Sequence, residues 1–177
     1  MGTATVVFSA WVMSAALFVL SAGSGHVRRF ADLRATIARH ALVPQRWRRV
    51  MPHVLLLSQI GVSCGVITAL LAGRGILALF GALLAAMLWI FLIYETILYR
   101  KRRGYSCGCF GRDVPVTRVS IGRTAVMAIV TTVGVPVISV AEFVPSSAQM
   151  AMILAAGVTG ALVARILPEV TVSMAGR

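Results

Sequence analysis

Between Thr3 and Ala22 the chain carries no charged residue, and apolar runs of similar length recur along it. A run of about 20 residues, rising about 1.5 Å per residue as a helix, can cross a hydrocarbon core about 30 Å thick. Composition agrees: of 177 residues, 59% are hydrophobic and only 12% charged, and the mean hydropathy is +0.91. Soluble domains carry about 25% charged residues, so bilayer is the expected solvent. The expected fold class is all-α, a polytopic transmembrane helical bundle forming one domain over residues 1–177, with about five spans. These are placed near residues 3–22, 53–71, 75–98, 122–140 and 148–167.

The first run has no Lys or Arg before it and is longer than the apolar core of a secretory signal. It is expected to be a retained helix. The small residues Ala22-Gly23-Ser24-Gly25 supply the alternative of a cleavage site, which N-terminal sequencing of the mature protein would distinguish. In the fourth run Pro136 removes a backbone donor and is expected to kink the helix. Gly61, Gly65, Ala69 and Gly73 recur every four residues in the second, a pattern that lets membrane helices approach closely.

A net charge of +12 would suggest nucleic acid in a soluble protein. The distribution points elsewhere. All but one of the 17 cationic residues are Arg, and most crowd into two connections, as expected of groups facing anionic lipid. Connection one holds Arg28, Arg29, Arg34, Arg39, Arg46, Arg48 and Arg49. Connection three holds Arg100, Lys101, Arg102, Arg103, Arg112, Arg118 and Arg123, whereas connection two has only Arg74. Two spans separate the basic connections, so both lie on one side, and the excess of cations makes that side cytoplasmic. The expectation is a bacterial plasma-membrane protein with its N-terminus out and its C-terminus in.

Connection one is too long for a turn. Val27, Phe30, Leu33, Ile37 and Ala41 recur at helical spacing, which predicts a short amphipathic helix in the interface plane ending near Pro44. The alternative is a solvated basic loop.

One element in this sequence carries distinctive chemistry: Arg102-Arg103-Gly104-Tyr105-Ser106-Cys107-Gly108-Cys109-Phe110-Gly111. A thiolate is the reactive form of cysteine, and the cations just upstream stabilise it. Gly108 and Gly111 give the backbone the freedom that a disulfide closing so small a ring requires. A bridge between Cys107 and Cys109 would be strained, and strained disulfides are easily reduced. Thiol–disulfide exchange is the activity that follows, with Arg102, Arg103, Gly108, Phe110 and Gly111 as the supporting loop. Two other readings stand beside it. The thiols could be structural residues of a turn, or they could supply two soft metal ligands with His26 or His40. Structural zinc usually takes pairs two to four residues apart, so no metal is expected.

Cys64, near the middle of the second run, has no activating charge nearby and is expected to be a buried packing residue. A relay thiol is the alternative. Glu95 sits near the end of the third run, where a carboxylate is costly and therefore informative. An ion pair with Arg100 or with a cation of connection one is expected, with proton transfer as the second possibility. No residue demands a cofactor, although a quinone is compatible as electron acceptor.

The Cys107-Gly108-Cys109-Phe110-Gly111 element follows an apolar span and a basic stretch. Pro115-Val116-Thr117 then leads into a helix start containing Arg123, and Leu42-Val43-Pro44 closes connection one. In these features the sequence resembles the MauE family, the methylamine-utilisation membrane proteins grouped with DoxX-like proteins. The resemblance covers most of the chain and carries over Cys107 and Cys109 as its site. It departs at Arg123-Thr124, where the family pattern is Arg-Asn.

What the resemblance implies is a redox-associated membrane protein that helps form disulfides in a partner, in the best-known branch the disulfide-rich small subunit of methylamine dehydrogenase. A thioredoxin-like redox protein is the implied companion. The rival function is a non-enzymatic assembly factor holding such a companion at the membrane. A small transporter is a third possibility, but the spans hold little polar beyond Ser, Thr, Gln59 and Glu95. Disulfide formation belongs outside the cytoplasm, opposite to the face that the charge pattern assigns to the pair. Relay of equivalents across the membrane, or an inverted topology, would reconcile the two.

Overall fold

The two helices that flank the Cys-bearing connection, Arg74–Lys101 and Arg118–Val140, form the largest helix–helix interface among the described residues. The computed structural model describes residues 11, 12, 14–16, 30–40, 44–72, 74–101, 115–140 and 146–175. Its helices are α1 (Phe30–His40), α2 (Met51–Ala72), α3 (Arg74–Lys101), α4 (Arg118–Val140) and α5 (Ser147–Ala175), with a 3₁₀ turn at Gln45–Trp47. No strand occurs among the described residues. Residues 11, 12 and 14–16 are also helical.

The distribution of side chains is inverted relative to a protein in water. α3 turns Leu77, Leu84, Leu88, Phe91 and Leu98 inward, yet its outer face is equally apolar, with Ile76, Leu79, Leu83, Ile90 and Ile93 exposed. In α4 the inward residues include Ser120, Thr124 and Thr131, while Val126, Ile129 and Val133 face out. A helix apolar all round belongs in a bilayer, where hydrophobicity no longer sorts faces and polar side chains turn inward to find partners. Two stretches are long and apolar enough to cross a membrane, Ile76–Lys101 and Arg118–Pro136, and Met51–Val66 and Ala151–Val163 are shorter apolar helices. The remaining spans of the expected five are not established by these lengths.

α2 and α3 pack side by side, with Gly65 facing the Phe80 ring, so α3 returns the chain to the end where α2 began. α1 lies against α2, where the Phe30 ring meets His53 at 4.7 Å between centroids, and its Leu33, Thr36 and Ile37 are buried. It ends at His40, short of Pro44. The opposite face exposes Arg34 and Arg39, which gives the amphipathic division that the spacing predicts.

Three expectations change. Of the small-residue stripe in α2, Gly65 and Ala69 are buried, but Gly61 has nothing within 4 Å of where its Cβ would stand, so only part of it mediates helix contact. Cys64 is exposed rather than buried, because Ser63 and Gly65 on either side occupy the inward face. α4 begins at Arg118, four residues before the expected boundary near 122, and continues through Pro136. The earlier start comes from a reciprocal cap. Thr117 Oγ1 accepts from the Ser120 N–H at 3.1 Å and Ser120 Oγ accepts from the Thr117 N–H at 3.1 Å.

The N-terminal segment is pinned by Trp11, which is fully buried and donates its Nε1–H to the Thr131 carbonyl at 3.3 Å. A Cβ at Gly81 would run into the Trp11 indole. Because that ring is enclosed and hydrogen-bonded, it has little room to yield. Gly81→Ala should lower bundle stability by about 1–3 kcal/mol, the cost of overpacking, while Gly61→Ala should be near neutral, as measured by thermal unfolding in detergent.

Candidate functional site

Cys107, Gly108, Cys109, Phe110, Gly111, Arg102 and Arg103 lie outside the described residues. Both stems of the segment that carries them are described, and they are cross-linked. Arg118 Nε donates to the Tyr99 hydroxyl at 3.2 Å. One helical turn deeper, Arg123 Nη2 approaches Glu95 Oε1 at 4.0 Å. Further along the same pair of helices, Trp89 Nε1 donates to Thr132 Oγ1 at 3.0 Å. Tyr99, Glu95 and Trp89 descend α3 as Arg118, Arg123 and Thr132 ascend α4. These contacts are the rungs of an antiparallel ladder.

The second rung is buried. Glu95 and Arg123 side chains are only 2% and 10% exposed, and the neighbouring Thr124 is fully buried, its hydroxyl donating to the Ser120 carbonyl at 3.0 Å. Glu95 Oε2 has no partner among the described residues. Attraction between unit charges 4 Å apart is about 4 kcal/mol at an effective dielectric constant near 20, and burying each ion costs several kcal/mol. The pair therefore comes close to breaking even and fixes which faces of α3 and α4 meet more than it adds stability. The expected partner of Glu95 was Arg100 or a cation of connection one; Arg100 is exposed at the helix end, and Arg123 of α4 takes that place. Arg123, counted by its sequence position among the loop cations, instead lies inside α4.

The stem after the Cys segment is anchored as well. Val116 is buried in the same cluster as Leu98 and Leu88, and the Thr117–Ser120 cap follows at once. Sequence spacing contained part of this arrangement: Glu95 and Tyr99 are four apart on one helical face, and Thr117-x-x-Ser120 has the form of a capping box. The pairing across the connection had no local signal. Among the described residues no group of three or more His, Cys, Asp or Glu could hold a metal ion.

The model of the MauE family, described as methylamine utilisation protein MauE, matches residues 3–141. The chain belongs to the MauE family. It is thus a methylamine-utilisation-associated membrane protein, and the match runs from the first apolar run through α4, taking in the Cys segment and both of its stems. α5 lies beyond the match. No curated protein and no solved structure matches the chain.

Removing either charge of the buried pair takes from the other its opposite charge in a low-dielectric interior. Glu95→Ala or Arg123→Ala should each cost about 3–5 kcal/mol, whereas Glu95→Leu combined with Arg123→Met should recover most of that loss, as a double-mutant cycle in detergent unfolding would measure.

Proposed function

We propose that this MauE-family protein supports disulfide formation in a maturing partner protein, of the methylamine-dehydrogenase type, by thiol–disulfide exchange at Cys107 and Cys109. The observation that carries this reading is the Cys-Gly-Cys-Phe-Gly element itself. It stands in a connection rich in cations, and the helices on either side are cross-linked.

The chemistry balances as follows. With Cys107 and Cys109 joined, a partner thiolate attacks one of their sulfurs, the S–S bond breaks, and a mixed disulfide forms while the other cysteine leaves as thiolate. The partner's second thiolate then attacks the mixed disulfide. The partner departs with an intramolecular disulfide, and two electrons and two protons remain on the Cys107/Cys109 dithiol. A thioredoxin-like protein in its disulfide form accepts them by the reverse sequence and restores the pair. No bound cofactor is needed for either half of the cycle.

The proposed setting is a five-span bundle in the bacterial plasma membrane, N-terminus out and C-terminus in. Its basic connections rest on anionic lipid at the cytoplasmic face, and in that orientation a partner folded outside the cytoplasm exchanges with the pair through a relay of thiol equivalents across the membrane. Exposed Trp47, beside Arg46 and Arg49, suits such an interface. The topology predicts that a membrane-impermeant maleimide will leave Cys107 and Cys109 unlabelled in intact cells and modify them after permeabilisation; labelling of intact cells would invert it.

Cys107→Ser and Cys109→Ser should each abolish maturation of the partner, scored by its disulfide content. If both variants mature the partner normally while neutralising Arg100, Lys101, Arg102 and Arg103 abolishes maturation, the protein is a scaffold for its thioredoxin-like companion and not an exchanger.

A further inference from the structure

One exposed stripe runs down α2 from the residue just before it. Val50, Val54, Leu57, Gly61, Cys64 and Thr68 follow one another at alternating intervals of four and three, the spacing of one helical side, and all six are exposed. The one hydroxyl on the stripe is already used: Thr68 Oγ1 donates to the carbonyls of Cys64 and Gly65, at 2.9 and 3.1 Å. The stripe therefore offers apolar contact and no vacant hydroxyl donor. It differs from the outer face of α3, which presents Leu79, Leu83, Ile90 and Ile93, in having a notch. Nothing lies within 4 Å of where a Cβ would stand at Gly61.

The stripe begins under a cationic cap. Arg46 and Arg49 are exposed just before Val50, with the exposed Trp47 between them, and no acid occurs in the sequence between Asp32 and Glu95. A guanidinium grips phosphate through paired N–H groups, and an indole suits the headgroup level of a bilayer. From Val50 to Gly61 the helix descends about 16 Å, which is half of a hydrocarbon core about 30 Å thick. Cations and notch are thus one leaflet apart. Charge also decides between a lipid and a second copy of the chain as the occupant. A parallel copy packed on this stripe would bring two sets of Arg46 and Arg49 together, and like charges repel, whereas an anionic headgroup neutralises them.

We propose that this face of α2 binds one anionic phospholipid, with its phosphate on Arg46 and Arg49 and an acyl chain lying along Val50, Val54 and Leu57 into the notch at Gly61. The proposal rests on the placement of the basic connections on anionic lipid given above, and it is independent of the exchange chemistry. To that placement it adds a defined site.

The test uses the full-length protein in phosphatidylcholine vesicles that carry a trace of either phosphatidylglycerol or phosphatidylcholine with a photoactivatable diazirine in one acyl chain. After photolysis and trypsin digestion, the peptide from Val50 to Arg74 reports the stripe and the peptide from Gly75 to Arg100 reports the outer face of α3. The labelling ratio of the first to the second should be at least fivefold higher with the phosphatidylglycerol probe, and excess inorganic phosphate should leave it unchanged. Arg46→Gln combined with Arg49→Gln should bring the ratio down to the phosphatidylcholine value, because each cation near an anionic surface contributes about fivefold in affinity. Gly61→Leu, which fills the notch, should lower it as well. Equal ratios for the two probes on the wild-type protein would overturn the placement on anionic lipid, and the site with it. A preference that survives loss of Arg46 and Arg49, or that inorganic phosphate abolishes, would overturn the site alone. Oxidation that joins two Val50 to Arg74 peptides through Cys64 would put a second copy on the stripe and overturn the site too.

Discussion

Glu95 and Arg123 meet 4.0 Å apart between α3 and α4, and in an apolar bundle each is tolerable because the other is there. Much of the bundle follows from that constraint. It fixes the facing sides of the two helices, and with that register Tyr99 reaches Arg118 and Trp89 reaches Thr132. It also leaves Thr131 presented to Trp11, whose indole closes over Gly81 and ties in the N-terminal helical residues. α2 joins from the other side, where Gly65 makes room for Phe80.

The solvent explains why such polar contacts can organise a fold. Between lipid and protein interior there is no difference in hydrophobicity to drive helices together, so close packing at small residues and inward hydrogen bonds decide which faces meet. Ser63, Glu95, Thr124 and Thr131 are buried while Leu79, Ile90, Val126 and Val133 face out. In water this arrangement would be unstable; in a membrane it is the expected one.

The all-α class, the helices α2 to α5 and the amphipathic α1 were legible from length, hydropathy and spacing, because each depends on residues close in sequence. The family was legible too, from one short motif and the order of elements around it. What could not be read were interactions across long separations. Glu95 had several cations to choose from, and its partner Arg123 is 28 residues away beyond the Cys segment. Arg123 fell at the start of the expected fourth span and was counted with the cations of connection three; the Thr117–Ser120 cap starts α4 at Arg118, which sets Arg123 more than a turn inside it, facing the carboxylate. Cys64 misled for a related reason: a thiol in an apolar run suggests packing, but in a bilayer the outward face is equally apolar and accepts it.

A dithiol that works by exchange must spend part of its time oxidised, and that is directly measurable in the cell. Acid quenching of growing cells, alkylation of free thiols and mass analysis of the Gly104 to Arg112 peptide would give the state of Cys107 and Cys109 in place. A substantial fraction of unalkylated peptide carrying an internal disulfide, rising when the thioredoxin-like companion is oxidised, is the predicted result. A pair found fully alkylated under every condition would be two permanently reduced thiols in a turn, and would contradict the account.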